Sequence, residues 1–347
     1  MIHGNSSPTS VPGESAGFQV GDFISPRAVA SATQSLKPFT SAREQIALLR
    51  GRGLDMQQEP QALAVLRRVG YYRLSGYAHS LKESASAAHV GADAFHVGAS
   101  FAQVVGIAAF DAALRLLLLD GLGTIEVAVR AALVERLGPI DVEAHRNPRL
   151  FDRRFTTFDA ITGSSPHDEW LKRFDALCAK SKEEFVEHHR LRYGGRMPIW
   201  AAVEVLELGL LSRLVEGLQF RDAKALSQQF NVGHPIVLKS WMHMFNVARN
   251  RAAHHARMWN RTTTKIPLLP TREARPDLEF LHGDEHAKTR LFGTLSCMRS
   301  IILAISPQDG WHQQIKALIA SFPKAHGLSL RAAGFPSKWE TLQLWKD

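Results

Sequence analysis

Cysteine is scarce in this chain. Cys178 and Cys297 are the only two, far apart and outside any metal-ligand spacing. Neither a disulfide framework nor a zinc site is expected from them, and a reducing cytoplasm is the expected location. The first twenty residues lack a basic start followed by an apolar run, so no signal peptide is read there. The most apolar stretch, residues 101–134, is interrupted by Asp111, Arg115, Asp120, Glu126 and Arg130, a charge density that argues against a membrane span. There is no Gly-rich phosphate loop and no Ser or Cys nucleophile motif, which leaves nucleotide transfer with little support. Alternating β patterns are also scarce, with residues 88–98 the best candidate for a short hairpin or loop.

The most informative absence is of acid. The whole window from Ala223 to Arg272 contains no Asp or Glu, where the chain's average of 33 acids in 347 residues would place about five. The same window carries Lys224, Lys239, Arg249, Arg251, Arg257, Arg261, Lys265 and Arg272. With a formal net charge of +9 overall, such a window is the electrostatic footprint of a nucleic-acid surface.

What remains is helical. Hydrophobic residues make up 45% of the chain, enough to build a large core. Residues 1–36, rich in Ser, Pro, Gly and Ala, read as a disordered or loosely attached segment. Residues 37–347 read as one all-α body. Ser41–Glu44 and Ser100–Gln103 are capping boxes, the second leading a long helix to Gly138-Pro139. Pro60 opens a helix through "ALAVLRRVGYYRLSGYAHSL". Ser165-Pro166 and Ser181–Glu184 start two more helices, stopped by Gly194-Gly195. Pro198 opens "PIWAAVEVLELGLLSRLVEGL" and Pro235 opens a helix over 235–261; further helical patterns follow at 276–305 and 309–321.

On the wheel of residues 235–261, Val237, Trp241, Met244, Phe245, Ala248, Ala252 and Trp259 share a packing face. Lys239, His243, Asn246, Asn250, His254, Arg257 and Arg261 lie opposite, with Arg249 at one edge. His254 therefore points with the polar stripe and His255 into the apolar face. Arg249 and His254 both flank Asn250, so a guanidinium and an imidazole can converge on an anion there. That combination suits a phosphodiester: the guanidinium supplies charge and paired donors, and the imidazole moves a proton near neutral pH. Charged helix faces are more often simply solvated, and the wheel by itself leaves catalysis, RNA or DNA binding and a structural face all open.

"RNRAAHHARMWNR" (249–261) resembles the signature of bacterial abortive-infection proteins of the AbiD/AbiF type, in the HEPN superfamily, whose ribonucleases carry Arg-Asn-x-x-x-His. The match falls on Arg249, Asn250 and His254. Blocks at 37–54, 69–81, 110–133, 197–218 and 334–345 agree in order and spacing, so the resemblance spans about residues 37–347 and leaves the first 36 aside. It implies an all-helical HEPN-type bundle that forms a homodimer through the signature helices. It implies RNA cleavage with no metal and no cofactor, and a role in phage defence or growth arrest. Some relatives resemble toxins restrained by a small RNA antitoxin.

On that footing Arg249, Asn250 and His254 are the expected catalytic residues, and Lys239, His243, Asn246, Arg257 and Arg261 the expected RNA contacts. The alternative is a regulatory module that binds RNA without cutting it. Tyr71, Tyr72, Arg73 and Tyr77 could stack bases, but core packing with one paired arginine is the favoured reading. Glu126 and Arg130, one turn apart, are expected to pair with each other or with Arg251. Glu187-His188-His189 lacks a third ligand and reads as a solvated face.

Overall fold

The computed structural model describes residues 38–83 and 93–346, and every regular element among them is helical. Fifteen α-helices follow one another: α1 (Ala42–Gly51), α2 (Glu59–Val69), α3 (Tyr71–Ala78), α4 (Phe101–Leu137), α5 (Arg153–Thr156), α6 (Pro166–Lys180), α7 (Glu184–Tyr193), α8 (Ile199–Val205), α9 (Leu208–Gly217), α10 (Phe220–Gln229), α11 (Pro235–Ala253), α12 (Glu279–His282), α13 (Glu285–Lys288), α14 (Leu291–Ile305) and α15 (Trp311–Ala320). The fold is all-α. Residues 1–36 and positions 88–92 of the 88–98 candidate hairpin lie outside the described residues; in the rest of it Phe95 forms one isolated antiparallel bridge with Lys82.

Local chemistry sets many of the helix starts. Ser41, Ser100 and Ser165 each accept from the N3 backbone while the N3 side chain (Glu44, Gln103, Asp168) returns the bond, so two orphan donors per helix are satisfied. Several expected helices are shorter than their hydrophobic pattern. Gly70, at φ 88°, ends α2 and starts α3 in a left-handed conformation that costs a glycine little. The helix read from Pro198 divides at Leu206–Glu207, where Leu206 is extended and its carbonyl accepts from Arg130 at 2.7 Å. The pattern at 276–305 divides into α12, α13 and α14. Helix α10, which no capping residue announces, starts at Gln219 without a side-chain bond.

Helix α4 is the central strut, about 55 Å long at 1.5 Å per residue. By length and composition alone it could cross a membrane. In this fold it packs against α3, α8, α11, α14 and α15, and Ile107, Leu114, Leu118, Ile125 and Leu133 are buried. Its charges are paired where they enter the core. Glu126 and Arg130 join at 2.5 Å as expected, and Arg130 also reaches Glu204 at 3.2 Å; Arg251 takes no part. Asp111 is fully buried and pairs with Arg115.

Candidate anion site at the end of helix α11

Helix α11 opens on Pro235, whose missing N–H costs nothing at a first turn, with the His234 ring accepting from the Ile236 N–H at 3.2 Å. Val237, Leu238, Trp241, Met242, Met244, Phe245, Ala248 and Ala252 are buried, and they face α4, α9, α10 and α14. The expected stripe is thus present, with Leu238 and Met242 widening it.

The helix does not run to 261. It stops at Ala253. The Ala256 N–H donates to the Arg251 carbonyl at 2.8 Å and the His255 N–H to the Ala252 carbonyl at 3.0 Å, the bond pair of a Schellman end. His255 occupies the left-handed position at φ 55°, where glycine is the usual resident. This corrects two expectations. His255 is exposed, not packed in the apolar face, because the backbone reverses there. Arg257 and Arg261 lie beyond the helix, so the wheel does not place them. Trp259 is buried all the same, but from the segment after the turn.

That segment is anchored from two helices. Asp111 Oδ1 accepts the N–H of Met258 at 3.0 Å and of Trp259 at 2.6 Å, while Oδ2 accepts the Tyr77 hydroxyl at 2.7 Å and Arg115. Burial, and then the Asp111 charge, push the Tyr77 phenol up to about 12 and keep it a donor. The Trp259 ring sits edge-on to Phe110 at 5.9 Å and against Phe322 at 4.4 Å. Helix α3 closes the other side: Arg73 donates to the His255 carbonyl and Arg257 to the Gly76 carbonyl. The "GYYRLSGY" stretch is therefore a clamp on the histidine turn. Tyr77 packs in the core as favoured. Arg73 is exposed and bound to a carbonyl, not to a carboxylate as core packing would have it, and Tyr72 is exposed.

On the polar side of α11 three side chains form a chain of bonds. Arg249 Nη1 donates to Asn250 Oδ1 at 3.2 Å, and Asn250 Nδ2 donates to Asn246 Oδ1 at 3.3 Å. The Asn250 amide is thereby oriented, its oxygen toward Arg249. The Asn246 side chain rests against Gly209 of α9, where an added Cβ would lie 3.3 Å from Asn246 Oδ1. His254 is the helix cap; its backbone N–H donates to the Asn250 carbonyl at 2.9 Å and its ring is exposed. Among the described residues, no carboxylate pairs with Arg249 and no group hydrogen-bonds the His254 ring.

The remaining expected contacts are dispersed. His243 is exposed and lines, with Asn246, Arg173, Glu207 and Arg213, an open groove of about 590 Å³ between α6, α9 and α11. Lys239 lies about 15 Å up the helix from Arg249. Its ammonium is half-buried, its proton affinity lowered by that burial, and it caps α9 by donating to the carbonyls of Glu216 at 2.7 Å and Leu218 at 3.5 Å. Arg261 is exposed. The described residues contain no group of three or more His, Cys, Asp or Glu placed to hold a metal ion.

Sequence reasoning missed Asp111 and Arg73 as parts of this region. The available signal was Asp111 itself, a carboxylate within the most apolar stretch of the chain, since a buried carboxylate must find donors somewhere.

Residues 64–260, from within α2 to just past Trp259, match the family model described as Abi-like protein. No curated protein and no solved structure matches the chain.

Proposed function

The chain belongs to the Abi-like protein family, whose name points to abortive infection and hence to phage defence, and from that premise we propose that it is a metal-independent endoribonuclease of the HEPN type. The observation that carries the reading is the end of α11. An unpaired guanidinium is held on the Asn250 amide, and an exposed imidazole follows at the helix cap, on a stretch of chain without carboxylates.

The chemistry follows from those groups. An imidazole takes the proton of the ribose 2′-hydroxyl as its oxygen attacks the adjacent phosphorus. The bond from phosphorus to the 5′-oxygen breaks, and an imidazolium returns a proton to that leaving oxygen. Arg249 meets the charge on the phosphoryl oxygens with paired N–H donors, and Asn250 fixes its direction. The products are a 2′,3′-cyclic phosphate and a 5′-hydroxyl. Acid and base act on opposite sides of the phosphorus, so two imidazoles are needed. His254 from each of two chains, facing across a twofold axis, supplies them.

The test is cleavage of labelled RNA in excess EDTA by the wild type and by His254→Ala, beside a substrate with 2′-deoxyribose at the cut position. The reading expects wild-type cleavage in EDTA, none at the deoxy position and none by the variant. Loss of cleavage in EDTA, or cutting at the deoxy position, refutes the mechanism. RNA bound but intact with the wild type makes the protein a binding module.

A further inference from the structure

Four arginines surround the histidine turn, and the mechanism above uses none of them. Arg251 is on the last turn of α11. On a helix at about 100° per residue it lies about 200° round from Arg249, with Asn250 and His254 between them. The polar arc at the helix end therefore runs Arg249, Asn250, His254, Arg251. Arg257 follows just after the turn, Arg261 slightly later, and Arg73 reaches in from α3 to the His255 carbonyl.

None of the four pairs with a carboxylate among the described residues. Asp111, whose charge reaches Arg257, is fully buried and its oxygens already accept from Tyr77, Arg115, Met258 and Trp259. Arg251 and Arg257 are only partly exposed. Partial burial lowers the proton affinity of both, and the charge of Arg261 lowers it further, with Tyr77 and Asp111 offsetting part of this at Arg257. A guanidinium keeps its proton regardless, so the repulsion is not relieved by titration. Arg73 and Arg257 each spend a donor on a carbonyl, Arg257 on that of Gly76, and a guanidinium has five. The spare donors and the uncompensated charge both call for an anion.

We propose that Arg73, Arg251, Arg257 and Arg261 form a second phosphate subsite, holding a phosphodiester of the RNA strand other than the one being cut. It rests on the reading of the chain as an RNA-cutting protein. The strand crosses the end of α11, with its scissile phosphate at Arg249, Asn250 and His254 and a further phosphate at the arginine cluster. The substrate is then a strand with at least two phosphates, and the cluster contributes register and affinity without reading base identity.

Two measurements separate this subsite from the catalytic reading. The first uses the full chain carrying His254→Ala and a fluorescent single-stranded RNA of ten nucleotides, with affinity followed across salt. Arg251→Gln and Arg261→Gln should each flatten the dependence of log affinity on log salt by about 0.7, one lost phosphate contact on a single strand. Lys180→Gln, at the end of α6, should leave it unchanged. Arg261 is exposed, so its variant tests the subsite even where Arg251→Gln unfolds. The second uses the otherwise wild-type enzyme. On a hexanucleotide Arg261→Gln should lower kcat/KM about tenfold, as a lost charge-assisted contact does, and the loss should be several-fold smaller on a dinucleoside monophosphate, which carries the scissile phosphate alone. Flattened salt slopes with no cleavage by the wild type keep the subsite and defeat the ribonuclease. Unchanged slopes in folded variants, or equal losses on both substrates, overturn the subsite.

Discussion

The carboxylate of Asp111 accepts the backbone N–H of Trp259 at 2.6 Å, a bond that spans 148 positions of sequence and fixes the turn carrying His254 to the core helix. The same oxygen also holds Met258, and the other holds Tyr77 and Arg115. An amide in its place presents N–H groups to donors. Asp111→Asn should therefore cost about 3–5 kcal/mol, the range for breaking a buried charge pair. Urea denaturation reads this directly. A loss below 1 kcal/mol would mean that the segment after the turn is held by Trp259 packing alone.

The two adjacent histidines should behave differently. His254→Ala should abolish cleavage and leave the melting temperature nearly unchanged, because its ring is exposed and unbonded. His255→Gly should raise stability by about 1 kcal/mol, since it relieves a left-handed conformation of an L-residue. His255→Ala should retain cleavage. If it abolishes cleavage in a folded protein, the second imidazole comes from the same chain and the twofold site is unnecessary.

Arg249→Lys should lower kcat/KM about a hundredfold, because an ammonium lacks the planar fork that fits both the Asn250 carbonyl and a phosphate. Asn246→Ala should cost several-fold less, since it only frees the far side of the Asn250 amide. Steady-state kinetics on one RNA substrate ranks the two; an Asn246 effect equal to that of Arg249 would contradict the ordering.

His145 gives a pH dependence remote from the site. It is buried against Phe174 and Trp170, both ring nitrogens lack a protein partner, and burial followed by the nearby Arg146 pushes its pKa down to about 4. The folded ring stays neutral where the unfolded one, at about 6.5, takes a proton. Its effect is absent above about pH 6.5, and stability falls as the pH drops from there to 4, by about 3 kcal/mol at the lower end. His145→Phe should remove that part of the slope in chemical denaturation at pH 7 and pH 4.5. A slope equal to that of the wild type would show that His145 does not carry it.

The sequence was most legible where structure is local. Ser41, Ser100 and Ser165 announce their helices because a cap and its return bond lie within four residues. Arg249 and Asn250 could be grouped because they are neighbours on one helix, where their side chains bond. The end of α11 was hidden, since neither Gly nor Pro marks it. His255 takes a conformation normally left to glycine, and Arg73 and Asp111, both remote in sequence, hold the chain on either side of it. Extending the wheel past Ala253 misplaced His255 and lent Arg257 and Arg261 a geometry they do not have. The break at Leu206 was equally invisible, as the group that takes its carbonyl sits on α4.

Trp259 meets both Phe110 and Phe322, which also contact each other, so the clamp on the histidine turn draws on both ends of the fold. Phe110 and Phe322 lie more than 200 positions apart in sequence. Contacts this distant form late in folding. The turn that carries His254 therefore takes its seat only once both halves of the core have met, and the arrangement of Arg249, Asn250 and His254 is set with the last packing of the fold.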